Sequence, residues 1–111
     1  MAQFILIIRE DLTRYPIPDE KLNALIKAHS EWAKKLSSRG IFESGNGIGP
    51  EGVLIEKRDG KLQIVALRDT KEGVGGYYII NAENMEQAIA IGKECPTFDE
   101  GDIIEVRPVM G

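Results

Sequence analysis

The 111 residues hold a single histidine, a single cysteine and a single tryptophan, so imidazole or thiol chemistry can be assigned to individual positions. His29 is the most informative. Counted at about 100° per residue from Leu22, it falls in the middle of a stripe formed by Leu22, Ile26, Ala33 and Leu36, so its side chain is predicted to face inward. Burial disfavours the charged imidazole and demands a partner for each nitrogen that water does not reach. Such a group is a candidate acid/base near neutral pH, with no second histidine or thiolate at ligand spacing to make a metal site. The sequence equally allows a core histidine satisfied by a backbone carbonyl or a tyrosine.

Trp32, Tyr77 and Tyr78 are candidate walls of a ligand cavity, each with an apolar body and a polar tip; the alternative for all three is ordinary core packing. Cys95 closes the second predicted helix, where the helix dipole disfavours a thiolate, and is read as a small apolar filler. Gly45, Gly47 and Gly49 recur at alternate positions but lead to Pro50 and a strand. The helix N-terminus that would cradle a phosphate is missing, and the segment is read as a mobile loop. Asp69, Lys71 and Glu72 form a charged cluster read as a solvated turn. No cofactor is expected.

These residues must be positioned by a small framework. The length suits one domain, 1–111, with one hydrophobic core. A net charge of −4 provides no basic field for nucleic acid or anionic lipid. The apolar run at the N-terminus, Phe4 to Ile8, is far below the roughly 20 residues that cross a bilayer and has no basic flank before it, so no membrane association is expected. With one cysteine no intrachain disulfide can form, which fits the cytoplasm.

Phe4 to Ile8 reads as a central strand. A long amphipathic helix follows Pro18, opened by Asp19 and Glu20 and stopped near Gly40. Extended structure resumes at Ile41–Glu43, then comes the glycine-rich excursion. Val53–Lys57 and Leu62–Leu67 form a hairpin about Asp59-Gly60. Tyr77–Ile80 is a further strand. Asn84 and Gln87 resemble a capping box opening a second helix, with Met85, Ala88, Ile89 and Gly92 on one face and Pro96 ending it; Asp102–Arg107 is the last strand.

Strand, helix, strands, helix, strand is the order of an α+β split βαβ fold with an antiparallel sheet and both helices on one face. The opposite face would then stay in water. At about 25 cal/mol per Å², several hundred Å² of apolar strand surface is a large unrealised burial, and a homodimer supplies the cover most simply. The alternative is that the glycine-rich excursion folds over that face, although Ile48 is its one large apolar residue.

Lys71-Glu72, then Gly75-Gly76-Tyr77-Tyr78, a helix ending at Cys95-Pro96, and the terminal Glu105-Val106-Arg107-Pro108-Val109-Met110 resemble YCII-related proteins of the DGPF type over nearly the whole chain. The resemblance implies a ferredoxin-like dimeric α+β barrel. It also implies a histidine and aspartate pair in a cleft, and Ala28-His29 is similar in placement to the family histidine. The aspartate position is Cys95 here, and the Asp-Gly-Pro-Phe signature is replaced by Ile64-Val65-Ala66-Leu67. His29 must therefore find another carboxylate, such as Asp69, or act alone. The expectation is a homodimer with a small-molecule cavity between helix and sheet or at the subunit boundary. There His29 performs cofactor-free, isomerase- or lyase-like proton transfer on a small organic acid or carbonyl compound. The alternative is a non-catalytic ligand-binding or regulatory module.

Overall fold

The computed structural model describes residues 1–67 and 70–111. Its elements are β1 (Ala2–Asp11), α1 (Asp19–Ser38), β2 (Phe42–Gly47), β3 (Val53–Arg58), β4 (Lys61–Ala66), β5 (Glu72–Ala82), α2 (Met85–Gly92) and β6 (Ile103–Pro108), with short 3-10 turns at Leu12–Arg14 and Phe98–Glu100. Strands β2, β5, β1 and β6 form one antiparallel-paired sheet in that order. The insertion of β5 between β1 and β2 is the split βαβ arrangement, and the fold is ferredoxin-like.

Strand β1 is central, as its unbroken apolar run predicts. Its side chains alternate: Phe4, Leu6 and Ile8 are buried with Tyr78 and Ile80 of β5 against Trp32 and Leu36 of α1 and Ala88 and Ile91 of α2. Both helices thus cover one face. On the other face Ile5, Ile7, Tyr77 and Ile79 are only half-buried.

Helix α1 starts after Pro18 without a side-chain cap, and Asp19 and Glu20 offset the positive dipole end. It stops at Gly40, whose φ of 71° is natural for glycine, with the Gly40 N–H bonded to the Ser37 carbonyl at 3.0 Å and the Ile41 N–H to the Leu36 carbonyl at 2.9 Å. Asn84 caps α2 by accepting from the Gln87 N–H at 2.9 Å, and the Gln87 side chain accepts in turn from the Glu83 N–H at 2.6 Å.

Three expectations need correction. Helix α2 ends at Gly92, several residues before Pro96, because Glu94 and Cys95 tighten onto the Ile91 and Gly92 carbonyls. Its buried face is Ala88, Ile91 and Gly92, with Met85 and Ile89 exposed. The glycine-rich stretch is strand as far as Gly47, and a Cβ at Gly45 would sit 2.7 Å from the Tyr77 carbonyl oxygen, so glycine lets β2 close on β5. That stretch does not cover the open sheet face either: Ile48, Gly49 and Pro50 border a cavity beside α1.

Asp59 (φ 49°) and Gly60 (φ 77°) make the expected turn between β3 and β4. The pair forms a separate two-stranded sheet. Its register places Ile55 opposite Ile64, with Val53 and Leu62 on the same face, and these four are 54–75% exposed.

Candidate functional site

The apolar stripe of α1 divides along its length. Its C-terminal part, Trp32 and Leu36, is sealed in the core, whereas Leu22, Leu25 and Ile26 stand over a cavity of about 840 Å³ between α1, the sheet and the segment Ile48–Pro50. This volume lies within the usual range for small-molecule sites. His29 sits where the two parts meet, and its half-buried ring lines the cavity with Tyr78, Thr97 and Asp102.

The imidazole is held at both nitrogens. Nδ1 lies 2.8 Å from the Tyr78 hydroxyl and Nε2 lies 2.9 Å from Thr97 Oγ1. Thr97 donates its proton to Asp102 Oδ2 at 2.7 Å, so the threonine oxygen must accept from the ring, which fixes the neutral imidazole as the Nε2–H tautomer. Nδ1 then accepts from Tyr78. The same phenol is 3.1 Å from the His29 carbonyl oxygen, an alternative acceptor. If Nδ1 gains a proton it can donate to the phenol oxygen while the phenol turns to that carbonyl, so either charge state of the ring finds partners.

Beyond Asp102 lies a second group of buried polar residues. Arg14 donates through Nη1 to Asp102 Oδ1 at 3.4 Å and through Nη2 to Glu10 Oε2 at 2.6 Å, and the Tyr15 hydroxyl donates to Glu10 Oε1 at 3.0 Å. Thr97, Glu10 and Asp102 are 3, 5 and 7% exposed, so these carboxylates depend on their partners for solvation. Gly75 makes room for the arrangement, since a Cβ there would come within 2.5 Å of the Glu10 carboxyl group.

Burial lowers the proton affinity of His29 below the ordinary imidazole value, opposed by the negative charge of Asp102. Burial also holds the Tyr78 phenol well above its usual range, reinforced by Cys95, so the phenol remains a proton donor. The Cys95 thiol is raised chiefly by burial as well, against hydrogen bonds from Thr97. Burial works against charge on Arg14, and its contacts with Tyr15, Asp102 and Glu10 outweigh it.

The structure brings His29 and Tyr78 together. It places Trp32 in the core, its ring 4.6 Å from that of Tyr78, and Tyr77 on the opposite face of the sheet, where its hydroxyl meets Asn46. Asp69 lies outside the described residues. Glu72 pairs with Arg9 at 2.6 Å, and Lys71 is exposed. Cys95, although no contact with His29 was expected, is one hydroxyl away from it, with Sγ 3.4 Å from Thr97 Oγ1. Sequence reasoning missed Asp102, Thr97, Glu10 and Arg14. Strand alternation offered a signal for the two acids: Glu10 continues the inward series Phe4, Leu6, Ile8, and Asp102 precedes the inward pair Ile104, Val106 by the same step of two. Among the described residues no group of three or more His, Cys, Asp or Glu is arranged to hold a metal, and no helix is long and apolar enough to cross a membrane.

The model of the YCII-related domain matches residues 3–111. The chain belongs to the YCII-related family. No curated protein gives a significant match to it. In this YCII-related chain the carboxylate linked to the histidine among the described residues is Asp102, contributed from just before β6 through Thr97, while the residue before Pro96 is the thiol Cys95.

Proposed function

We propose that this YCII-related protein binds a small molecule in the cavity under α1 and moves a proton on it without a cofactor, using Tyr78 and His29 as the proton-carrying pair. The observation that carries this reading is the 2.8 Å contact between the phenol and Nδ1, with Nε2 tied through Thr97 to Asp102. A phenol that receives a proton from a carbon acid while passing its own to Nδ1 leaves an imidazolium, which Asp102 stabilises through the threonine hydroxyl. Return of the proton to a different atom of the bound molecule restores the pair, the balance of an isomerisation; loss of a leaving group instead gives an elimination. Carbonyl compounds, whose adjacent C–H bonds are acidic, are the natural class.

The test is deuterium incorporation into a panel of small carbonyl compounds in D2O, followed by proton NMR. Exchange with the wild-type protein that falls by about 10²-fold or more in both His29→Ala and Tyr78→Phe supports the reading. Exchange that survives both substitutions removes the pair from the mechanism.

One observation favours a second reading, a non-catalytic binding or regulatory module: both ring nitrogens already have protein partners. That reading expects ligand binding with no exchange in any panel member.

We further propose that two copies pair. The half-buried Ile5, Ile7, Tyr77 and Ile79 on the helix-free face, together with exposed Val53, Ile55, Leu62 and Ile64 on the hairpin, support this, because an isolated two-stranded hairpin is at best marginally stable in water. The cytoplasm is the compartment proposed, since the lone cysteine is a buried free thiol.

A further inference from the structure

The cavity wall contains three formally charged side chains among the described residues, Glu10, Arg14 and Asp102. The one cation among the described lining residues, Arg14, is shared between the two acids through its terminal nitrogens, reaching Glu10 at 2.6 Å and Asp102 at 3.4 Å, while its Nε is buried without a partner; both acids are almost fully buried. One guanidinium between two carboxylates leaves a net charge of −1 on the wall. His29 does not offset it: Nε2 donates to Thr97 and Nδ1 accepts from Tyr78, the arrangement of a neutral ring, and burial lowers its proton affinity.

From this balance we infer that the cavity selects molecules with an apolar body and an uncharged or cationic polar end, and rejects the corresponding carboxylates and phosphates. The inference rests on the reading of the cavity as a ligand site and narrows its substrate class, turning away from organic acids. A carboxylate entering beside Tyr78 would bring a further negative charge close to two nearly buried carboxylates that already share the one cation among the described lining residues. An ammonium group, a hydroxyl or a ketone meets no such opposition. The rest of the lining suits the apolar body: Ile17, Leu22, Leu25 and Ile26 on one side and Phe42 and Ile48 on the other.

Three probes that share one body and differ at one end test the inference: 3-phenylpropylamine, 3-phenylpropan-1-ol and 3-phenylpropionate, titrated into the full chain at pH 7.5 with binding followed by calorimetry and by NMR shifts of His29. The amine and the alcohol are expected to bind at least about ten-fold more tightly than the acid, a difference of about 1.4 kcal/mol. In Glu10→Gln, which removes one negative charge while keeping the shape, the acid is expected to gain about ten-fold. Binding of the acid as tightly as the amine overturns the inference while leaving the ligand site standing. Failure of all three to shift His29 overturns the ligand-site reading itself, and the inference with it. The ranking in the wild-type protein decides the matter even if the variant does not fold.

Discussion

Asp102 reaches the imidazole of His29 through one hydroxyl, that of Thr97, which accepts from Nε2 at 2.9 Å and donates to the carboxylate at 2.7 Å. The threonine converts two residues that do not touch into an oriented pair, fixing the tautomer and leaving Nδ1 to face Tyr78. It is also the residue most exposed to a clean test, because valine reproduces its shape without its hydroxyl.

Thr97→Val should leave the Nε2 proton and one Asp102 oxygen without their bridge. The expected loss of stability is about 1–3 kcal/mol, the cost of stranding buried polar groups, measured by urea unfolding. Thr97→Ser keeps the hydroxyl and should recover most of it. Equal stability of the valine variant and the wild type would mean that the bridge contributes nothing.

The lowered proton affinity of His29 links stability to pH. In the unfolded chain the imidazole takes a proton near its ordinary value of 6.5, whereas the folded ring resists doing so until the pH is lower. Between those two values the unfolded state binds more protons, so stability is full above about 6.5 and falls as the pH drops through the window. In His29→Gln this part of the pH dependence should vanish, with the dependence due to carboxylates at lower pH unchanged. Denaturation midpoints from pH 8 to 5 check it, and identical slopes in both proteins would refute it.

Gly75 is predicted to tolerate no side chain. A Cβ there would lie 2.5 Å from the Glu10 carboxyl group, which Arg14 and Tyr15 pin in place. Gly75→Ala should therefore cost about 1–3 kcal/mol through overpacking and a disturbed ion pair. Because the clash is with one side chain, the double variant Gly75→Ala/Glu10→Ala should cost less than the sum of the two single changes, a non-additivity that a double-mutant cycle reads directly.

The hairpin predicts assembly. Ile55 and Ile64 face one another and are 68 and 71% exposed. Replacing both with aspartate should leave the four-stranded sheet and its helices folded by circular dichroism and shift sedimentation from a pair toward a single subunit at micromolar concentration. A wild-type protein that already sediments as one subunit would contradict the proposed pairing.

The framework was legible because its signals are local. The run Phe4–Ile8, the turn at Asp59-Gly60, the stop at Gly40 and the cap at Asn84 each depend on neighbours in sequence, and each appears where its chemistry requires. His29 facing the sheet followed from helical phase for the same reason. Elsewhere local pattern was insufficient. Met85 and Ile89 share a helical phase, yet α2 is short and settles on Ala88, Ile91 and Gly92, which pack against β1, β5 and β6. The glycines at 45 and 47 look like a loop by composition, and only the close approach of β5 makes strand of them. Strand alternation could have turned Asp102 inward, but its link to His29 through Thr97 arises only when α1 crosses the sheet, a relationship no spacing in the sequence records.

The proposed chemistry depends most on the environment of one imidazole, and because the chain has a single histidine its NMR titration is unambiguous. The ring should titrate below its ordinary value of 6.5 in the wild type and lower still in Asp102→Asn, where the charge that favours the imidazolium is gone. A wild-type value at or above the ordinary one, unchanged by Asp102→Asn, would contradict a buried ring coupled to Asp102.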